Sequence, residues 1–348
     1  MKAAVKTARG RFEITEVERL GIPDADWVLA RVRVAGICGT DLRHWDKPEP
    51  ELEHHIVGHE LAGEVVEIGS AVTNVAPGDR VVIESVMGDG ECEWCRVQQY
   101  NLCPNLYEVR TKCVSRAYGE FVTGPASKFY KLPEHISFEE AALIDTFSVC
   151  VHAQHKSGLS INNKVAIIGA GPIGLGQLML AKASGADVLI TDVVDSALAK
   201  ELGADVVLNT GRDDPAAAAM AFTGGRGVDI VFECSGGRSM PVTLPQATQM
   251  ARRGGKVVIV GGFDKGVTTI GLEWQRIQMS EIQIIPSASF SFYGLDAEQG
   301  IALELLSKGK LNASKLITHR FTLDQINDAF EAGAAKEKTA ATFIAISI

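Results

Sequence analysis

Three groups of residues have the types and spacing that chemistry needs. Cys92-x2-Cys95-x7-Cys103 sets three thiolates on one short loop, a spacing suited to structural zinc and rare among unconstrained core cysteines. Asp89, one Cys92–Cys95 interval ahead of Cys92, offers a carboxylate oxygen as fourth ligand; a metal-free loop with a vestigial cluster is the alternative. Gly169-Ala170-Gly171-Pro172-Ile173-Gly174 is a glycine fingerprint that lets backbone N–H groups approach a pyrophosphate. Cys38, in Gly36-Ile37-Cys38-Gly39-Thr40-Asp41, and His59-Glu60, in Gly58-His59-Glu60-Leu61, form the third group. Each of these two motifs alone is weak evidence, because buried cysteines and satisfied core histidines are common.

The elements around these groups divide the chain. Up to about residue 145, short alternating segments such as Trp27–Val34, Gly63–Ile68 and Arg80–Glu84 are separated by turn signals, which predicts a β-rich domain. From Asn163 the pattern becomes strand (Val165–Ile168), glycine turn, helix (Ile173–Ser184) and strand (Val188–Thr191), a parallel βαβ unit. Apolar runs at Asp229–Phe232 and Lys256–Val260 extend it into a doubly wound sheet. The fingerprint thus follows a strand and opens a helix, the context that a dinucleotide requires. Asp192 ends the next strand, where a carboxylate bonds ribose hydroxyls and repels a 2′-phosphate, so NAD is favoured over NADP; Asp195 competes for that role. Cys234-Ser235 and Val260-Gly261 close later strands at the same sheet edge, where cofactor contact and a plain strand-end turn both fit. The tail holds helical stretches at Ala297–Leu306 and Leu323–Ala334 and a strand at Ala341–Ile346, and is expected to rejoin the first domain.

Composition narrows the partners. With 348 residues, 46% of them hydrophobic, and a net charge of −9, the chain carries no basic footprint for nucleic acid and no membrane-binding patch. The N-terminus lacks a signal-peptide core, and seven cysteines, an odd number, suit metal binding in a reducing compartment; a cytoplasmic protein is expected.

Taken together, these motifs resemble the zinc-containing medium-chain dehydrogenases, in their polyol and secondary-alcohol branch, over nearly the whole chain to Thr318-His319-Arg320-Phe321. The resemblance implies an α/β fold, with a Rossmann doubly wound parallel sheet domain (147–286) and a β-rich GroES-like catalytic domain (1–146 and 287–348). It implies two zinc ions per chain. The catalytic one would be held by Cys38, His59 and a third ligand just before the nucleotide domain, here Asp145, with Glu60 as an auxiliary ligand; the structural one would be held by Asp89, Cys92, Cys95 and Cys103. Gly169, Gly171, Pro172, Ile173, Gly174 and Asp192 would bind the cofactor. The implied reaction is Lewis-acid activation of an alcohol oxygen and hydride transfer to a nicotinamide.

Thr40 matches the family hydroxyl that relays the substrate proton. The family's next relay histidine is replaced by Arg43, with His44 beside it. The substrate expected is a small-molecule polyol, sugar or cyclitol oxidised at a secondary hydroxyl, in a homo-oligomer that is a tetramer or else a dimer. Secondary-alcohol, threonine and glucose dehydrogenases of the same branch remain open, as does a non-catalytic nucleotide-binding protein on this scaffold. The metal residues argue against a zinc-free reductase.

Overall fold

The computed structural model describes residues 1–47, 55–106 and 116–348. These form two compact units, Met1–Asp145 with Phe290–Ile348, and Thr146–Ser289.

The first unit is built on strand Trp27–Gly36, whose WVLARVRVAG sequence buries Val28, Ala30 and Val32 while Arg31 and Arg33 reach solvent. It pairs antiparallel with Leu61–Ile68, with Phe121–Pro125 and with the C-terminal strand Phe343–Ser347. The sheet continues through Arg80–Ile83 to Phe129–Lys131 on one side and ends at Ile317–Thr322 on the other. The tail therefore closes onto the strand that leads to Cys38. Its last long helix, Ile326–Ala334, sends Phe330 against Phe12, with ring centroids 4.8 Å apart, inside the apolar core.

The second unit is one six-stranded sheet, parallel throughout. Counted along the chain from Lys164–Ile168, its strands stand in the order third, second, first, fourth, fifth, sixth, which is the Rossmann arrangement. The central strand Val228–Glu233 is buried at every position, as parallel strands covered on both faces must be. Two edge strands, Val206–Asn209 and Gln283–Pro286, are four residues each and have no fully buried position, so the sequence carries little signal for them.

Candidate active site

The first cluster forms because two strand ends meet. Cys38 follows strand Trp27–Gly36 and stands at the N-cap of helix Gly39–Trp45; His59 and Glu60 lead into Leu61–Ile68, and Ala35 pairs with Leu61. The register brings a cysteine sulfur, an imidazole nitrogen and a carboxylate oxygen within 4.8 Å of one another. That donor set fits a zinc ion.

Behind it lies a support that the motif spacing does not announce. Asp41 is buried, lies 3.4 Å from His59 Nδ1, and accepts from the Cys38 N–H at 3.1 Å and from the Tyr118 hydroxyl at 2.9 Å. Burial pushes the Asp41 carboxyl up, but the charge and hydrogen bond of His59, with the bonds from Cys38 and Tyr118, outweigh it and hold the group below its ordinary range. A carboxylate so placed orients the imidazole that would ligate a metal. The Asp of the Cys-Gly-Thr-Asp motif was the available signal.

Asp145 stands outside that trio. It lies in the first turn of the helix Ile144–Ser157, is buried, and its Oδ2 accepts from Ser85 Oγ at 2.6 Å. Ser85 follows the fully buried Glu84. The Glu84 carboxylate accepts from Lys128 Nζ at 2.7 Å, from Tyr130 at 2.8 Å and from Tyr100 of the cysteine loop. One short segment therefore ties the loop to the sheet at Glu84 and holds Asp145 at Ser85.

In the cysteine loop, one ligand atom each from Asp89, Cys92, Cys95 and Cys103 lies within the same 4.8 Å limit, a four-donor set of the composition that structural zinc accepts. Gly88 leaves the room: a Cβ there would come 2.3 Å from Cys95 Sγ. Asp89 also accepts from the N–H groups of Glu91 and Cys92 and from the Asn105 amide, which hold its carboxyl well below the usual range.

Thr40 lies in the first turn of helix Gly39–Trp45, and Arg43 Nη2 donates to its Oγ1 at 2.9 Å. A guanidinium donates only. His44 is half-buried on the same helix. The segment Tyr107–Arg110, a candidate for the substrate pocket, lies outside the described residues, as do His54 and Cys113.

In the second unit, Gly169 takes φ +100, a left-handed conformation that glycine adopts freely, and a Cβ on Gly174 would lie 1.8 Å from the Gly169 carbonyl oxygen. Gly171 caps the helix Pro172–Ala183, with Pro172 in its first turn and Ile173 next. Asp192 Oδ2 accepts from the Ala170 N–H at 2.6 Å, so the carboxylate faces the glycine turn, whereas Asp195 is bonded to Arg212 and Asn209. The turns at Cys234-Ser235 and Val260-Gly261 are joined through the buried Glu233. Its Oε1 accepts from Ser235, Gly236 and Thr243, and its backbone carbonyl from the Val260 and Gly261 N–H groups.

This geometry has counterparts in known proteins. Residues 24–134 match the alcohol dehydrogenase GroES-like domain, and residues 172–308 match the zinc-binding dehydrogenase family. The chain is 35% identical to D-arabitol-phosphate dehydrogenase of Enterococcus avium, over 95% of this chain and 94% of that one. It is 34% identical to sorbitol dehydrogenase of Bacillus subtilis, over 95% and 93%. The structure resembles galactitol-1-phosphate dehydrogenase from Escherichia coli with a TM-score of 0.86, at 25% identity and complete coverage of both chains.

The fold and the site define a zinc-dependent oxidoreductase that acts on CH–OH groups with a nicotinamide cofactor. The chain belongs to the zinc-containing medium-chain alcohol and polyol dehydrogenase family. Among the described residues no helix is long and apolar enough to cross a membrane.

Proposed function

We propose that this protein is a polyol dehydrogenase that reversibly oxidises a secondary hydroxyl of a polyol, sugar or cyclitol to a ketone with NAD. The observation that carries this is the convergence of Cys38, His59 and Glu60 donors within 4.8 Å on a chain related to sorbitol and arabitol-phosphate dehydrogenases.

The bound groups supply Lewis acidity toward the substrate hydroxyl, from zinc, and hydride acceptance, from the nicotinamide. Cys38, His59 and Glu60 would hold the metal, with Asp145, held by Ser85, as a further carboxylate of the set. Asp41 fixes the His59 ring through Nδ1. Thr40 takes the substrate proton; because Arg43 cannot accept it, the imidazole of His44 is the next carrier that the helix offers. Asp89, Cys92, Cys95 and Cys103 hold a second, structural zinc, giving two per chain. Asp192 favours NAD, since its charge at the strand end opposes a 2′-phosphate. The enzyme works in the cytoplasm as a homo-oligomer, a tetramer by analogy with its branch.

The test is a panel of polyols, sugars, amino alcohols and simple secondary alcohols, followed by NADH absorbance, with metal content measured on the same preparation. Turnover of polyols above the rest is expected, with two zinc ions per chain. Preference for threonine or for a simple alcohol would overturn the substrate assignment, and zinc-free active protein would overturn the metal assignment.

A further inference from the structure

Arg43 stands beside the Thr40 hydroxyl with most of its donors unused. Its guanidinium has five N–H donors in a planar fork, yet among the described residues its one hydrogen bond is to Thr40 Oγ1, at 2.9 Å, and no carboxylate pairs with it. Some arginines are matched to carboxylates, such as Arg33 with Glu64 and Arg320 with Glu139, and others, such as Arg80 and Arg276, spend their donors on backbone carbonyls; among the described residues Arg43 does neither. The acidic side chains nearest Arg43 in sequence are committed elsewhere. Asp41 faces His59 and Tyr118, and Asp46 is held by Arg9.

Arg43 is also half-buried, so part of its hydration is already lost without a counter-charge to compensate. Cys38 and Thr40 are partly exposed, as is Arg43, whereas Asp41, His59 and Glu60 are buried. A planar, permanently charged fork bonded to the Thr40 hydroxyl matches the geometry of an oxyanion. In a protein with a net charge of −9, a substrate bearing such a group needs a local cation to be held.

We propose that Arg43 is a specificity-determining residue, and that the preferred substrate is a polyol bearing an oxyanion, a phosphate monoester or a carboxylate, within a carbon or two of the hydroxyl that is oxidised. This rests on the polyol dehydrogenase assignment above and narrows it. The N–H groups of Arg43 that Thr40 does not occupy bind the anion.

The experiment compares a five-carbon polyol, its terminal phosphate monoester and the matching aldonic acid on the wild-type holoenzyme and on Arg43→Gln and Arg43→Lys. In the wild type, kcat/KM is expected to be highest for one of the two anionic substrates, and which of them leads identifies the group. Arg43→Gln should lower kcat/KM for that substrate roughly 10- to 100-fold, mainly through KM, and change the neutral polyol less than about fivefold. Arg43→Lys, which keeps the charge but not the fork, should fall between. Calorimetric titration with inorganic phosphate gives a readout independent of turnover: saturable binding should weaken in Arg43→Gln.

Equal use of neutral and anionic substrates by the wild type, or an equal loss on all three in Arg43→Gln, would overturn the anion subsite and leave the polyol assignment standing. Turnover of none of the three would overturn both.

Discussion

Ser85 Oγ donates to Asp145 Oδ2 across 2.6 Å with both side chains buried, which fixes one carboxylate oxygen of a proposed metal ligand and leaves the other to act. Outer partners of ligating groups typically carry about 10- to 100-fold in affinity or activity. Ser85→Ala is expected to lower kcat by that order and to weaken retention of the catalytic zinc during dialysis against a chelator. Zinc retention and turnover both equal to wild type would remove Asp145 from the ligand set.

Cys38 and the cysteine loop should separate cleanly. Cys38→Ser is expected to leave one zinc per chain and to reduce turnover by roughly a thousandfold, since the Lewis acid loses its soft anionic ligand. NADH binding, read by fluorescence, should persist because the fingerprint lies in the other unit. Substantial turnover with a single zinc would place the reaction elsewhere.

Asp89→Ala should do the opposite. The Asp89 side chain accepts from Cys92 N–H at 3.0 Å and Asn105 Nδ2 at 2.8 Å, so its removal loosens the turn as well as the ligand set. The expected result is loss of the second zinc and a lower melting temperature, with kcat of the surviving folded enzyme within about threefold of wild type. An unchanged zinc count with unchanged melting would show that Asp89 is not a ligand.

Cofactor preference should depend on Asp192. Asp192→Gly removes the charge that opposes a 2′-phosphate, along with the bond to Ala170 N–H, and should shift the ratio of kcat/KM for NAD over NADP by roughly tenfold or more toward NADP. A wild-type enzyme that already prefers NADP would refute the assignment.

Asp229 should make stability depend on pH. It accepts from Lys164 N–H at 2.7 Å, Arg252 Nε at 2.6 Å and Arg226 Nη2 at 3.0 Å. Burial alone would raise its carboxyl, but these bonds and charges outweigh it and hold the group below the ordinary value. A folded pKa below the unfolded one gives stability that is complete above the unfolded value and lost as pH falls through the folded one. Asp229→Asn should therefore cost about 1–3 kcal/mol at neutral pH, with the gap narrowing below pH ~4 in urea titrations. A gap that widens on acidification would contradict the sign.

How much was legible depended on distance along the chain. The fingerprint from Gly169 to Gly174 could be read because turn, helix start and close packing all fall within one local segment, and each needs a small residue at a set offset. The cysteine loop was legible for the same reason. The Glu84 hub was not: its donors Tyr100, Lys128 and Tyr130 come from separate elements, and no spacing rule links them. The role of Arg43 is intermediate. Its position three residues after Thr40 on a helix permits contact, but its lack of a carboxylate partner among the described residues emerges only from where Asp41 and Asp46 turn.

By itself the sequence determined the kinds of donor available and the fold that would carry them, because residue type and local periodicity are properties of contiguous chain. Only the tertiary structure decided which donors share a site. The antiparallel register of Ala35 with Leu61 puts Glu60 beside Cys38 and His59, and the buried hydroxyl of Ser85 holds one oxygen of Asp145, the carboxylate that family resemblance brought forward. Strand pairing and burial position both carboxylates, and neither is written at the carboxylates themselves.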